Sequence, residues 1–162
     1  MGSRFPDLDA LYRDVVLDHY RSPRGKKPLP GADVENQGMN PVCGDEVKVY
    51  LKMEGDRIRD ASIVSRGCAI SVASGSMLAE LLAGKTRPEV ERLAEAFRAL
   101  MHDQPVPQGV ELGDLEALEG VKKLPVRVKC ALLAWTTLRD ALLAWESGES
   151  KPVLPSSTEK EE

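Results

Sequence analysis

Three cysteines and one aspartate carry the chemistry that can be read from this chain. Cys43, Cys68 and Cys130 are the only thiols in 162 residues, an odd number at wide spacing, so a closed disulfide framework cannot use them all. A thiolate is both a nucleophile and a soft metal ligand. Asp45 stands two residues after the first thiol, and Gly44 between them allows a tight turn that points both side chains at one centre. Three sulfurs and one oxygen make a tetrahedral set, and thiolates select zinc or an iron–sulfur cluster over magnesium or calcium. Each residue also has a plainer reading. Free cysteine is among the most buried residue types, and on composition alone three unrelated buried thiols is the commoner case. An aspartate after Cys-Gly at a strand entrance is more often a turn former than a ligand.

The elements that must position these groups follow from spacing. A helical pattern opens near Asp7 and puts Leu8, Leu11, Tyr12, Val15 and Val16 on one face before Ser22-Pro23 stops it. Residues 22–44 carry Pro23, Pro28, Pro30 and Pro41 with Gly25, Gly31, Gly38 and Gly44, so they read as a loop holding at most a short strand near Val34. Residues 46–53 alternate, with Val47, Val49, Leu51 and Met53 on one face. Glu54-Gly55-Asp56 turns the chain into a second strand, 58–65, and an antiparallel hairpin is expected. Cys43 and Cys68 bracket that hairpin, which brings them to the same end of the sheet. A helix is expected over 69–83, opening at Cys68 and closing at Gly84. Thr86-Arg87-Pro88-Glu89 is a capping box that launches the next helix, which carries Val90, Leu93, Ala94, Phe97 and Leu100. Residues 105–124 read as a linker with a short helical turn over 114–118, and Pro125 begins the longest helix, through Cys130 to Trp145. All three thiols thus sit near element starts, where helix N-termini favour the thiolate.

Composition sets the limits. The chain is 42% hydrophobic and 30% charged with a net charge of −4, which suits a soluble globular protein and lacks the basic excess that nucleic-acid binding needs. No apolar run approaches the ~18–20 residues of a membrane span, and residues 1–11 are polar and acidic where a signal peptide would be greasy, so a cytoplasmic protein is expected. Residues 1–148 form a single domain on this reading, and 149–162 a disordered acidic tail.

Asn40-Pro41-Val42-Cys43-Gly44-Asp45, then Arg66-Gly67-Cys68-Ala69-Ile70-Ser71-Val72-Ala73-Ser74-Gly75-Ser76-Met77, then Pro125-Val126-Arg127-Val128-Lys129-Cys130-Ala131-Leu132-Leu133-Ala134-Trp135 resemble the three signature segments of the U-type iron–sulfur scaffold superfamily. Leu11-Tyr12 through Asp18-His19-Tyr20 resembles its first helix, and the likeness spans roughly residues 8–146. The IscU branch and the N-terminal domain of NifU-like proteins carry a ligand histidine just before the third cysteine. Here that position is Lys129, which has no lone pair to offer while protonated. The long stretch between Cys68 and Cys130, including Asp114 to Leu124, resembles the insertion that marks the SufU branch, and both departures point to that branch.

The resemblance implies an α+β fold, with a small antiparallel sheet of about three strands, helices packed on one face and the metal site at one exposed end. It implies zinc held by Cys43, Asp45, Cys68 and Cys130, a SufS-type cysteine desulfurase as partner, and downstream iron–sulfur assembly proteins. In the family a desulfurase histidine takes a zinc position on docking and frees the first cysteine, here Cys43, to accept persulfide sulfur. The alternative is a scaffold on which a [2Fe-2S] cluster is built on the same four side chains. Arg127 and Lys129 either face the site or the partner, or are solvated surface cations. His19 reads as a helix-packing residue, His102 as solvated, and Trp135 and Trp145 as core.

Overall fold

The computed structural model describes residues 6–25, 27–148 and 156–157. In order these are α1 (Pro6–Arg21), β1 (Val34–Asn40), β2 (Asp45–Glu54), β3 (Arg57–Arg66), α2 (Ala69–Leu82), α3 (Arg87–Met101), a 3-10 helix (Gly113–Lys123), α4 (Pro125–Glu146) and a two-residue β4 (Ser156–Ser157). The sheet order is β3-β2-β1-β4, and the three long strands are antiparallel.

The β2–β3 hairpin forms for the reason its alternation gives: Val47, Val49 and Leu51 are buried while Glu46 and Lys48 face water. Gly55 turns the chain at a φ of +66°, and the register slips once, between Lys52 and Met53. β1 is longer than its composition suggests. Its core-facing positions are Val34, Asn36, Gly38 and Asn40, so the buried face carries two amides and a glycine instead of an apolar stripe. Two of the three have a packing reason against α4: Asn36 Nδ2 donates to the Thr137 carbonyl at 3.0 Å, and a Cβ on Gly38 would collide with the Thr137 hydroxyl.

The helices lie on that same face of the sheet. α2 packs between β3, α1 and α4, and its run from Ser71 to Leu78 is buried on all sides, which its small residues permit. Ser74 Oγ donates to the Ala131 carbonyl at 2.7 Å and ties α2 to α4. The capping box of α3 forms as the sequence predicts, with Thr86 as N-cap and Glu89 returning the bond. Phe97 and Trp135 stack at 5.1 Å in the core, worth about 0.5–1.5 kcal/mol beyond burial. Trp145 is half-buried, and its Nε1 donates to Gly55 O at 2.9 Å, pinning the hairpin turn.

Two segments differ from expectation. The linker before α4 holds an eleven-residue 3-10 helix rather than a short turn. Leu112, Leu115, Leu118 and Val121 are all buried, and a spacing of three matches the 3.0-residue turn of that helix, not the α period. In the tail, Ser156 and Ser157 pair in parallel with Gly38 and Met39 on the outer edge of β1, so these two residues are ordered against the sheet. A strand edge offers unpaired N–H and C=O groups that an extended segment satisfies. The rest of 149–162 lies outside the described residues, as do the side chains of Leu8, Leu11 and Tyr12.

Candidate metal centre

The turn 41–44 joins β1 to β2, with Gly44 at a φ of +74° and its N–H donating to Asn40 O at 2.8 Å. This places Cys43, half-buried, above the start of β2, whose first residue is Asp45. The Asp45 carboxylate is buried and used on both oxygens. Oδ1 accepts from the Cys68 backbone N–H at 2.8 Å, and Oδ2 accepts from Asn40 Nδ2 at 3.4 Å. Gly67 makes that approach possible: its φ is +137°, and a Cβ there would lie 2.8 Å from Asp45 Cα.

Cys68 is the N-cap of α2, its Sγ accepting from Ser71 N–H at 3.5 Å, and it lies 3.9 Å from Asp45 Oδ2. Cys130 stands in the second turn of α4 and is fully buried. Ligand atoms of Cys43, Asp45 and Cys130 all lie within 4.8 Å of one another, and Cys68 joins them through Asp45. Burial pushes the Cys130 thiol far above its ordinary range, helped by its hydrogen bonds with Asp45, Cys43 and Cys68. Thiolates packed this closely need a compensating cation, and a donor set of three sulfurs and a carboxylate fits a soft divalent ion.

Arg127 faces this cluster. Its guanidinium is held above its usual range by a hydrogen bond to Cys130 and by the charges of Cys68, Cys130 and Cys43. Lys129, one residue before Cys130, lines a separate groove with Met101, His102, Asp103 and Leu132. Apolar side chains beside the cluster in sequence are exposed: Val42, next to Cys43, is 67% exposed, and Val126 and Leu124, at the start of α4, are 55% and 54% exposed. Sequence reasoning missed Asn40, whose signal was its position at the head of the first motif, across the turn from Asp45. It also missed Gly67, which only the contact with Asp45 explains.

A second group of ligand-type residues lies elsewhere. His19, Glu80 and Asp114 also bring three such atoms within 4.8 Å of one another. Here the partners are already made. His19 is buried, with Nδ1 bonded to Ser76 Oγ at 2.7 Å and Nε2 to Asp114 Oδ2 at 2.8 Å, while Arg24 pairs with Glu80 at 3.5 Å and Asp18 at 2.7 Å. His19 is thus a packing residue of α1, clasping α2 and the 3-10 helix.

Comparison with known proteins agrees with the geometry. Residues 11–151 match the NifU-like N terminal domain family. The chain is 39% identical over 142 residues to the zinc-dependent sulfurtransferase SufU of Bacillus subtilis, covering 88% of this chain and 96% of that protein. It is also 39% identical over 135 residues to the iron–sulfur cluster assembly scaffold protein IscU of Streptococcus pyogenes, covering 83% and 84%. Among solved structures, the N-terminal part of a nitrogen-fixing NifU-like protein from Brucella abortus superposes with a TM-score of 0.78 at 25% identity, covering 86% of this chain and 97% of that one. By motif, fold and relatives alike, the chain belongs to the NifU-like N-terminal domain family, in its SufU-type branch.

Proposed function

We propose that this protein accepts sulfur on Cys43 from a SufS-type cysteine desulfurase and passes it on to iron–sulfur cluster assembly, with zinc held by Cys43, Asp45, Cys68 and Cys130. The observation that carries the reading is the difference among the thiols: Cys43 sits on a turn and is half-buried, while Cys68 caps α2 and Cys130 is buried in α4. Zinc, when bound, keeps thiolates deprotonated near neutral pH and brings no redox chemistry of its own.

The chain's own residues do the rest. Asp45, fixed by the Cys68 N–H, and Cys68 and Cys130, fixed by their helices, hold the centre still. The Cys43 turn is the part that moves at least cost, because it is flanked by Pro41 and Gly44 and packs little. The Cys43 thiolate attacks the outer sulfur of the donor's persulfide, a new S–S bond forms on Cys43, the donor's S–S bond breaks, and the donor's cysteine leaves as thiolate. Arg127 lies where it offsets the negative charge of the thiols during that step. The exposed apolar side chains of Val42, Leu124 and Val126 suit a protein donor rather than a small molecule. A cytoplasmic setting is part of this reading, since three unpaired thiols suit a reducing compartment. The same four donors also suit assembly of a [2Fe-2S] cluster, and the Streptococcus pyogenes relative is named as a scaffold.

The test is to incubate zinc-loaded protein with a SufS-type desulfurase and free cysteine, then locate the added sulfur by peptide mass spectrometry. It is expected on Cys43, and Cys43→Ser should lose it while keeping the wild-type circular dichroism. Sulfur on Cys68 or Cys130 overturns the assignment, and unmodified thiols with retained iron give the scaffold reading its place.

A further inference from the structure

Asn40 touches two of the four proposed ligands although it is not one itself. It is the last residue of β1 and pairs across the ladder with Asp45. The following residue is Pro41, which biases Asn40 toward extended backbone, and the Asn40 carbonyl is fixed by the Gly44 N–H at 2.8 Å. The backbone is therefore set from both sides, and the side chain, 1% exposed, enters the centre from a rigid position.

Its Nδ2 lies 3.4 Å from Asp45 Oδ2 and 3.4 Å from Cys130 Sγ. A carboxamide nitrogen carries two hydrogens, so one amide serves both acceptors. The distance to oxygen is longer than the usual ~2.7–3.2 Å for N–H···O and marks a weak contact, while the larger sulfur atom makes 3.4 Å an ordinary N–H···S distance. The Oδ1 of the same amide is buried with no hydrogen-bond partner among the described residues. An unpaired buried acceptor is costly, so the orientation is retained for what the nitrogen does. Turned over, the amide would point its oxygen at a carboxylate and a sulfur, both lone-pair donors.

We infer that Asn40 is a positioning residue of the metal centre, its carboxamide holding the Asp45 carboxylate and the Cys130 sulfur in a fixed mutual orientation. This rests on reading Cys43, Asp45, Cys68 and Cys130 as a metal site. The two acceptors come from β2 and α4, elements distant in sequence, and the amide bridges them directly. It does so without charge, which matters because Arg127 already supplies a cation beside the thiols. Outer partners of this kind orient ligands and tune affinity.

Zinc affinity of the wild type, Asn40→Ala and Asn40→Asp, measured by chelator competition, tests this, together with the thiolate-to-metal and ligand-field bands of the cobalt-loaded proteins. Asn40→Ala should bind zinc about 10–100-fold more weakly. Asn40→Asp should bind more weakly still, since a carboxylate of the same shape donates nothing and adds a negative charge beside Asp45 and Cys130. The cobalt bands should shift in both. If Asn40 merely ends a strand, aspartate serves that purpose equally well, so Asn40→Asp with wild-type zinc affinity overturns the inference. Should Asn40→Asp fail to fold, unchanged cobalt bands in Asn40→Ala overturn it equally. Wild-type protein that takes up neither zinc nor cobalt overturns the metal-site reading instead, and so separates the two failures.

Discussion

Among the described residues, two places gather ligand-type side chains within 4.8 Å, and they are built on opposite terms. Around His19 every polar group has a protein partner: both ring nitrogens are bonded, Arg24 balances Glu80 and Asp18, and three elements are locked by the result. Around Cys130 the groups have mostly each other. Thiols and a carboxylate face one guanidinium, a neutral amide leaves its own oxygen unpaired, and apolar side chains beside the cluster in sequence are exposed. The first is complete in itself and reads as a joint. The second leaves its donors facing one another, and on the function proposed above it is completed by a cation within and a protein without. Proximity of donors says little; whether the protein alone satisfies them says more.

The comparison breaks most visibly at Asp45. Asp45→Ala removes a donor and releases the Cys68 N–H, and zinc affinity should fall at least ~100-fold, beyond the range typical of outer partners. Chelator competition measures it, and a thiol reagent should then find three reactive cysteines that zinc shields in the wild type. Unchanged affinity would return Asp45 to a turn former. At the other place the expected loss is one of stability, not of binding. His19→Ala empties a buried site and removes both ring hydrogen bonds, although Ser76 Oγ keeps the Arg24 N–H and Asp114 can turn to water, so unfolding free energy should fall by about 1–3 kcal/mol in urea titration, with zinc affinity within twofold of wild type. A parallel loss of zinc would show the two places to be coupled. The smallest effect belongs to a site remote from both: Thr86→Ala should cost about 1 kcal/mol, the typical value for an N-cap, and leave zinc and sulfur acceptance alone.

Sequence legibility followed the same divide. The thiol centre was readable because its residues sit in three ordered motifs at element starts, and β2 and β3 because their apolar residues alternate. β1 was hidden, since Asn36, Gly38 and Asn40 face the core and break the apolar period that marks a strand. The 3-10 helix was hidden by a spacing of three where an α-helix would need three and four. The His19 clasp joins residues 57 and 95 positions apart, and no local pattern reports such a pair. The pairing of β4 with β1 was missed for a related reason, because two serines in an acidic, proline-bearing tail carry no burial signal.

One feature of the centre bears on how the protein is made. Its four proposed donors come from positions 43, 45, 68 and 130, and the last lies in α4, after α3 and the 3-10 helix. During synthesis, which runs from the N-terminus, the hairpin and the start of α2 can assemble with three donors in place while the fourth is still to come. On that proposal a nascent or truncated chain holds an incomplete set, and full-strength metal capture would report that α4 has been synthesised and has docked across the sheet.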